Sequence, residues 1–206
     1  MQFADSLVVL DFETTGLSPA QGDRAIEIGA VRLVNGVVVD EFQALMNPGF
    51  RVSGFIENYT GITNSMLVDA PPCEEVMLEF ADFIGDDHLL AHNASFDKKF
   101  LDAELTNIGR NYSGTFFCSL LTSRRVFQNA LNHQLSTLIK HINIPPTGQY
   151  HRALFDAQMT AQLWLAILAD ISNRYDLKQL RFAQLAKLQK TAKKDVHKLL
   201  QNMASD

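Results

Sequence analysis

The chain has 206 residues, 47% of them hydrophobic and 20% charged, with a formal net charge of -5. That length and balance suit one sizeable globular domain with some chain left for an appendage, and they exclude a disordered or collagen-like polymer. Cys73 and Cys118 fit neither a disulfide framework nor a zinc spacing. No apolar run reaches membrane-spanning length and no leader pattern opens the chain, so a soluble cytoplasmic protein without a membrane partner is expected.

In chain order, residues 6–12 read as a buried strand and 14–23 as a loop holding Gly16, Pro19 and Gly22. Residues 25–34 and 37–46 are rich in Val, Ile and Leu, and Asn35-Gly36 between them closes a tight hairpin. Residues 47–62 read as a loop because of Pro48, Gly49, Gly54 and Gly61, and Thr63 as the cap of a short helix to about 68. Beyond Pro71-Pro72, Val76, Phe80, Phe83 and Ile84 predict a helix ending near Gly85. A strand follows at 88–92, then a helix capped by Ser95, a fifth strand at 115–118 and helices at 120–127 and 135–142. Residues 144–148 break the pattern, and a long helix runs from 153 to about 171. Strands first, then strands alternating with helices, indicate an α/β fold with a mixed sheet.

The charge is unevenly spread along this order. Residues 172–206 carry eight Lys or Arg against three Asp or Glu, whereas 1–171 carry ten against twenty. The division drawn is a domain at 1–171 and a basic amphipathic helical extension at 172–206, where Leu177, Leu180, Leu185, Leu188, Val196, Leu199 and Leu200 recur at helical spacing. An acidic body argues against a broad phosphate-wrapping surface. It leaves room for a site that meets a chain end through cations, because bound divalent ions reverse the local charge.

Candidate chemistry begins at residues 7–16. Side chains two apart on a strand face the same way, so Asp11 and Glu13 stand together with Phe12 on the other face. Two like charges so close call for a cation, the plainer alternative being a strand that ends in solvated acids. Asp97 falls in the first turn of a helix, where a carboxylate also complements the helix dipole. His151 and Asp156 flank the start of the long helix, which alone is weak evidence for a site.

Together these segments resemble the three motifs of the DEDDh (DnaQ-like) 3′ to 5′ exonuclease family over about residues 5–170. They read Asp11-Phe12-Glu13-Thr14-Thr15-Gly16-Leu17, His92-Asn93-Ala94-Ser95-Phe96-Asp97 and His151-Arg152-Ala153-Leu154-Phe155-Asp156. Glu27-Ile28-Gly29-Ala30 and Gly61-Ile62-Thr63 also look like the family. One departure is Cys118-Ser119-Leu120, where many relatives have Asp-Thr-Leu.

The resemblance implies a ribonuclease H-like fold, a five-stranded mixed sheet flanked by helices, here with the C-terminal extension. It implies that Asp11, Glu13, Asp97 and Asp156 hold two divalent cations, Mg²⁺ or Mn²⁺, and that His151 is the general base. Thr14, Thr15, Gly16 and Leu17 would meet the terminal nucleotide, Ile62 would support it, Phe100 would stack on a base, and His92 and Asn93 would line the groove. Residue type alone leaves Ile62 and Phe100 equally at home in a core.

The implied reaction removes 5′-mononucleotides from the 3′ end of single-stranded DNA. RNA, as taken by oligoribonuclease and RNase T relatives, is the rival substrate, and a non-catalytic nucleic-acid- or polymerase-binding subunit is the rival of another class. For the extension, docking on the body, nucleic-acid contact and capture by a protein partner all stand open. Relatives occur as monomers and dimers, so the oligomeric state does too.

Overall fold

The computed structural model describes residues 3–145 and 151–205. Its sheet has the order β3-β2-β1-β4-β5. The strands are β1 (Leu7–Thr14), β2 (Ala25–Val34), β3 (Val37–Leu45), β4 (Leu89–Ala91) and β5 (Phe116–Cys118). β1 pairs antiparallel with β2 and parallel with β4; β2–β3 is antiparallel and β4–β5 parallel. The expected five-stranded mixed sheet is therefore present. Asn35 and Gly36 turn the hairpin with φ of 52° and 76°, the positive values that Asn-Gly tolerates and most residues do not.

The two-residue period of β1 sorts its side chains between two cores. Val8, Leu10 and Phe12 pack with α3 (Cys73–Ile84) and α4 (Ser95–Asn107). Leu7 and Val9 face the other way, onto the long helix α7 (Ala153–Tyr175). Asp11 and Glu13 continue that second series, so the alternation that buries Leu7 and Val9 also aims both carboxylates at the α7 side. On β2, Val31 and Leu33 share that face, and so by register do Glu27 and Gly29.

Gly29 lies opposite Asp11. A Cβ there would come within 2.0 Å of the Leu154 backbone nitrogen. The missing side chain is what lets the first turn of α7 press against the sheet.

The remaining helices are α1 (Gly54–Thr60), α2 (Asn64–Val68), α5 (Ser119–Val126), α6 (Leu135–His141), α8 (Phe182–Lys190) and α9 (Val196–Ser205). The basic tail is a helical pair joined by a 3-10 turn at Lys193–Asp195, and its apolar stripe docks. Leu185, Leu188, Val196, Leu200 and Met203 complete the α7-side core. Trp164 Nε1 donates to the Ala4 carbonyl at 2.6 Å and Ala4 N to Leu180 O at 2.8 Å, tying the chain start, α7 and the tail together. Among the described residues no helix is long and apolar enough to cross a membrane.

Three expectations are corrected. The supposed loop at 47–62 contains α1, capped by Ser53 accepting from Ile56 N and ended by Gly61 at φ 74°. Glycines at both ends disguised a helix that is held by burying Ile56 and Thr60. Ser95 is the first helical residue rather than the cap, and no side chain caps α4. The expected 14–23 loop includes a 3-10 turn at Pro19–Gln21. Of the expected break at 144–148, residues 146–148 lie outside the described residues.

Candidate active site

Strand β1, the β4–α4 turn, α1 and the entry to α7 meet around one cavity of about 670 Å³. Asp11, Glu13, Thr14, Thr15, Gly16, Leu17, His92, Asn93, Asp97, His151 and Asp156 all line it. Residues separated by more than 140 positions are thus brought to one end of the sheet.

Each acid is held by the element that carries it. Asp97 is buried, and its Oδ1 accepts the Phe12 N–H at 3.2 Å, so helix α4 is pinned to β1 between the two strand acids. Asp156 Oδ2 accepts the His151 N–H at 2.8 Å. That bond closes a turn in which His151 has φ 66°, a left-handed conformation that directs its exposed ring over the cavity. Glu13, His151 and Asp156 each offer a ligand atom, and these atoms all lie within 4.8 Å of one another.

Burial disfavours the charged form of all four acids, and repulsion from the other carboxylates adds to it at Asp11 and Glu13. Burial, then Asp97, Asp156, Glu13 and Glu27, holds the Asp11 carboxyl well above its ordinary range. Burial, then Asp156, Glu27 and Asp97, pushes Glu13 up to about 8 against the pull of Arg152. Burial raises Asp97 to about 7 and Asp156 to about 6 despite the backbone N–H groups that favour their charged forms. Four oxygen-donor side chains and one imidazole suit a hard divalent cation, whose charge would favour the ionised carboxylates.

A fifth acid, Glu27, has a different task. It is fully buried beside Glu13 on the neighbouring strand. Arg152 grips it with Nη2 at 2.8 Å from Oε1 and Nε at 3.2 Å from Oε2, and the Ala153 N–H donates at 3.1 Å. Glu27 therefore anchors the segment between His151 and Asp156 instead of joining the cluster. Its place within an apolar strand was the signal in the sequence that it pairs with something.

The turn after Glu13 is built in advance. The register of β1 with β2 slips between Glu13 and Thr14. Thr14 Oγ1 donates to Gly16 O at 2.7 Å, and Ser18 N to Asp23 Oδ2 at 2.9 Å. A Cβ on Gly16 would fall 2.4 Å from the Asp23 carboxylate, so any larger residue would push that carboxylate off Ser18 N and Thr15 Oγ1. Buried Glu104 holds Arg24 at the end of this turn through Nε at 2.9 Å and Nη2 at 2.9 Å. Leu17, 75% exposed, projects from the rim.

Ile62 and Phe100 do not line the cavity. Both are fully buried, Ile62 with Ile26, Val52, Ile56 and Leu67, and Phe100 in the α3–α4 core. Neither has a face to offer a base, and core packing accounts for them. The aromatic surface belongs to residues the sequence reading missed: Phe96 on α4, and Phe55 and Tyr59 on α1. Phe55 and Tyr59 are 72% and 53% exposed, stacked at 5.9 Å, and Tyr59 lies 4.3 Å from the His151 ring. A helix misread as a loop hid their i, i+4 spacing.

His92 is at the rim but chemically occupied. Its Nε2 donates to His133 O at 2.9 Å, which leaves Nδ1 to accept from Ser119 Oγ at 2.8 Å. Burial pulls this imidazole down to about 4, so it is neutral and acts as a strut. Asn93 is exposed with φ 68°.

The RNase_T exonuclease family matches residues 8–164. The chain is 40% identical over 172 residues to the PolC-type DNA polymerase III of Bacillus subtilis strain 168, covering 82% of this chain and 12% of that protein. It is likewise 40% identical over 161 residues to the one from Caldanaerobacter subterraneus subsp. tengcongensis, covering 78% and 11%. The chain thus spans about an eighth of the length of these relatives. Among solved structures, exonuclease X in complex with 5′ overhanging duplex DNA aligns with a TM-score of 0.67 at 26% identity, covering 89% of this chain and 99% of that one. The nuclease domain of 3′hExo, a DEDDh family member bound to rAMP, shares the fold with a TM-score of 0.70 at 19% identity, covering 86% and 96%. With this fold, these motifs and these relatives, the chain belongs to the DEDDh, DnaQ-like family of exonucleases.

Proposed function

We propose that the chain is a metal-dependent 3′ to 5′ exonuclease that removes nucleoside 5′-monophosphates from the end of single-stranded DNA. The observation that carries this reading is the convergence of Asp11, Glu13, Asp97, Asp156 and His151 on one cavity with carboxyls held above their ordinary range. Asp11, Glu13, Asp97 and Asp156 are the oxygen donors that would hold two divalent cations, Mg²⁺ or Mn²⁺. Such ions offset negative charge on the attacking and leaving oxygens of a phosphodiester.

The chain's own groups do the rest. His151, exposed at the rim and adjacent to Glu13 and Asp156, takes the proton from the attacking water. The preformed turn at Thr14, Thr15 and Gly16 receives the terminal sugar and phosphate, and Leu17 wedges against the last base. Phe96, Phe55 and Tyr59 provide ring faces for unstacked bases, which favours a single strand over a closed duplex end.

DNA is preferred over RNA because the similar proteins are named DNA polymerases and exonuclease X was solved with DNA. The same names favour work beside a polymerase, as a proofreading activity in the bacterial cytoplasm. The 3′hExo structure with rAMP keeps RNA as the second reading.

Matched DNA and RNA oligonucleotides incubated with Mn²⁺, beside Asp11→Asn, test the proposal. The expected result is stepwise shortening of 5′-labelled DNA, immediate loss of a 3′ label and no reaction with the variant. Shortening from the 5′ end, or equal cleavage by Asp11→Asn, would remove it.

A further inference from the structure

The docked tail leaves its lysines at one edge of the molecule. Arg125 Nε donates to Thr191 O at 3.1 Å, Gln128 Nε2 to Lys193 O at 3.0 Å and Gln189 Nε2 to Cys118 O at 3.1 Å. The Gln189 bond sets the end of α8 beside the C-terminal end of β5, the sheet end at which the parallel strands β1 and β4 also finish, and the other two hold the segment after α8 against the last turn of α5 and the residues that follow it. Arg124, Lys190, Lys193 and Lys194 are exposed there, and among the described residues none forms an ion pair. Asp195 is the sole acid in the turn that carries Lys193 and Lys194.

The ridge is joined to the cavity rim. His92 lines the cavity and donates to His133 O, and the His133 ring is held below its ordinary range by burial, then by the nearby charges of Lys193 and Arg124. Exposed positive groups outside any ion pair among the described residues, two of them near the same His133 ring, on a chain whose body is acidic, favour a polyanion over a purely solvated face.

We propose that Arg124, Lys190, Lys193 and Lys194 bind the phosphodiester backbone of the strand whose 3′ end occupies the cavity. The ridge rests on the exonuclease reading for its orientation but uses different residues and different chemistry. It holds the upstream strand by charge, without regard to sequence, so that successive terminal nucleotides are presented while the substrate stays bound.

The test is a charge-reversal set, Arg124→Glu, Lys193→Glu and Lys194→Glu, in the full chain, with thermal melting to establish that each folds. Binding of a long single-stranded DNA is measured by anisotropy across a salt series, and the p-nitrophenyl ester of thymidine 5′-monophosphate, which has no upstream strand, reports the catalytic site. The expected result is a loss of affinity for the long strand of about tenfold or more, with each lost phosphate contact flattening the salt slope by roughly 0.7. Ester hydrolysis stays at the wild-type rate. Unchanged affinity and salt slope, or equal losses on strand and ester, would overturn the ridge. If wild-type protein hydrolyses neither substrate, the exonuclease reading fails, while the binding series still decides the ridge.

Discussion

Glu27 and Arg152 lie 125 positions apart and meet as a two-pronged ion pair, one partner fully buried and the other at the surface. The pair closes β2 onto the entry of α7, between His151 and Asp156. Arg152 is 36% exposed, which screens part of the attraction, so Glu27→Gln is expected to cost about 1–3 kcal/mol rather than the full value of a buried pair. Chemical denaturation should show that loss, together with a larger fall in turnover than in substrate affinity.

The raised carboxyls make a pH prediction with a definite sign. In the unfolded chain these groups ionise near pH 4; in the fold Asp156 does so at about 6, Asp97 at about 7 and Glu13 at about 8. With folded values above unfolded ones, their contribution is fully present below about pH 4 and is lost as the pH rises toward 8. Melting in a chelator should therefore fall across that interval from this cluster. Mg²⁺ or Mn²⁺ should restore it, with a larger gain at pH 8 than at pH 5. An equal gain at both would argue against a cation among these acids.

His151→Ala should lower turnover by roughly two or more decades while leaving the Mn²⁺-induced rise in melting temperature largely in place. Retention of wild-type turnover would remove His151 as the base. Loss of the metal response instead would assign it to the ligand set.

Phe55 and Phe100 separate substrate contact from core packing. Phe55→Ala should raise KM for short strands by about 5-fold or more without lowering the melting temperature, since a base-stacking face is worth roughly 1–3 kcal/mol. Phe100→Ala should cost about 3–5 kcal/mol of stability with no selective change in KM. Parallel melting curves and KM measurements check both.

Deleting residues 173–206 would strip Leu185, Leu188, Val196, Leu200 and Met203 from the α7-side core. The shortened chain should aggregate or melt well below the full one in light scattering and calorimetry. A soluble, equally stable fragment would mean that the docked helices contribute little.

Much of this is legible in the sequence. The Asn35-Gly36 hairpin, the Thr63 cap and the ends of α3 each rest on local chemistry, and local chemistry is what a sequence displays. The strand acids were visible because a period of two places Asp11 and Glu13 together whatever surrounds them. α1 was hidden because seven residues flanked by glycines owe their helix to packing that no window of sequence contains. Phe100 and Ile62 were misplaced for a related reason: an apolar residue near a site reads alike whether it faces the ligand or the core. His92 also looked free for substrate, since its partners Ser119 and His133 come from elements far along the chain.

The glycine at position 29 has one more consequence. It lets α7 reach the sheet, and only then do Asp156 and His151 arrive beside Asp11 and Glu13. The candidate site therefore does not exist until residues 151–156 have been made and packed on the sheet. During synthesis the acids of β1 emerge early and wait for the last third of the sequence. On the proposed nuclease reading, the chain would thus be harmless to phosphodiesters until the first turn of α7 has docked on the sheet.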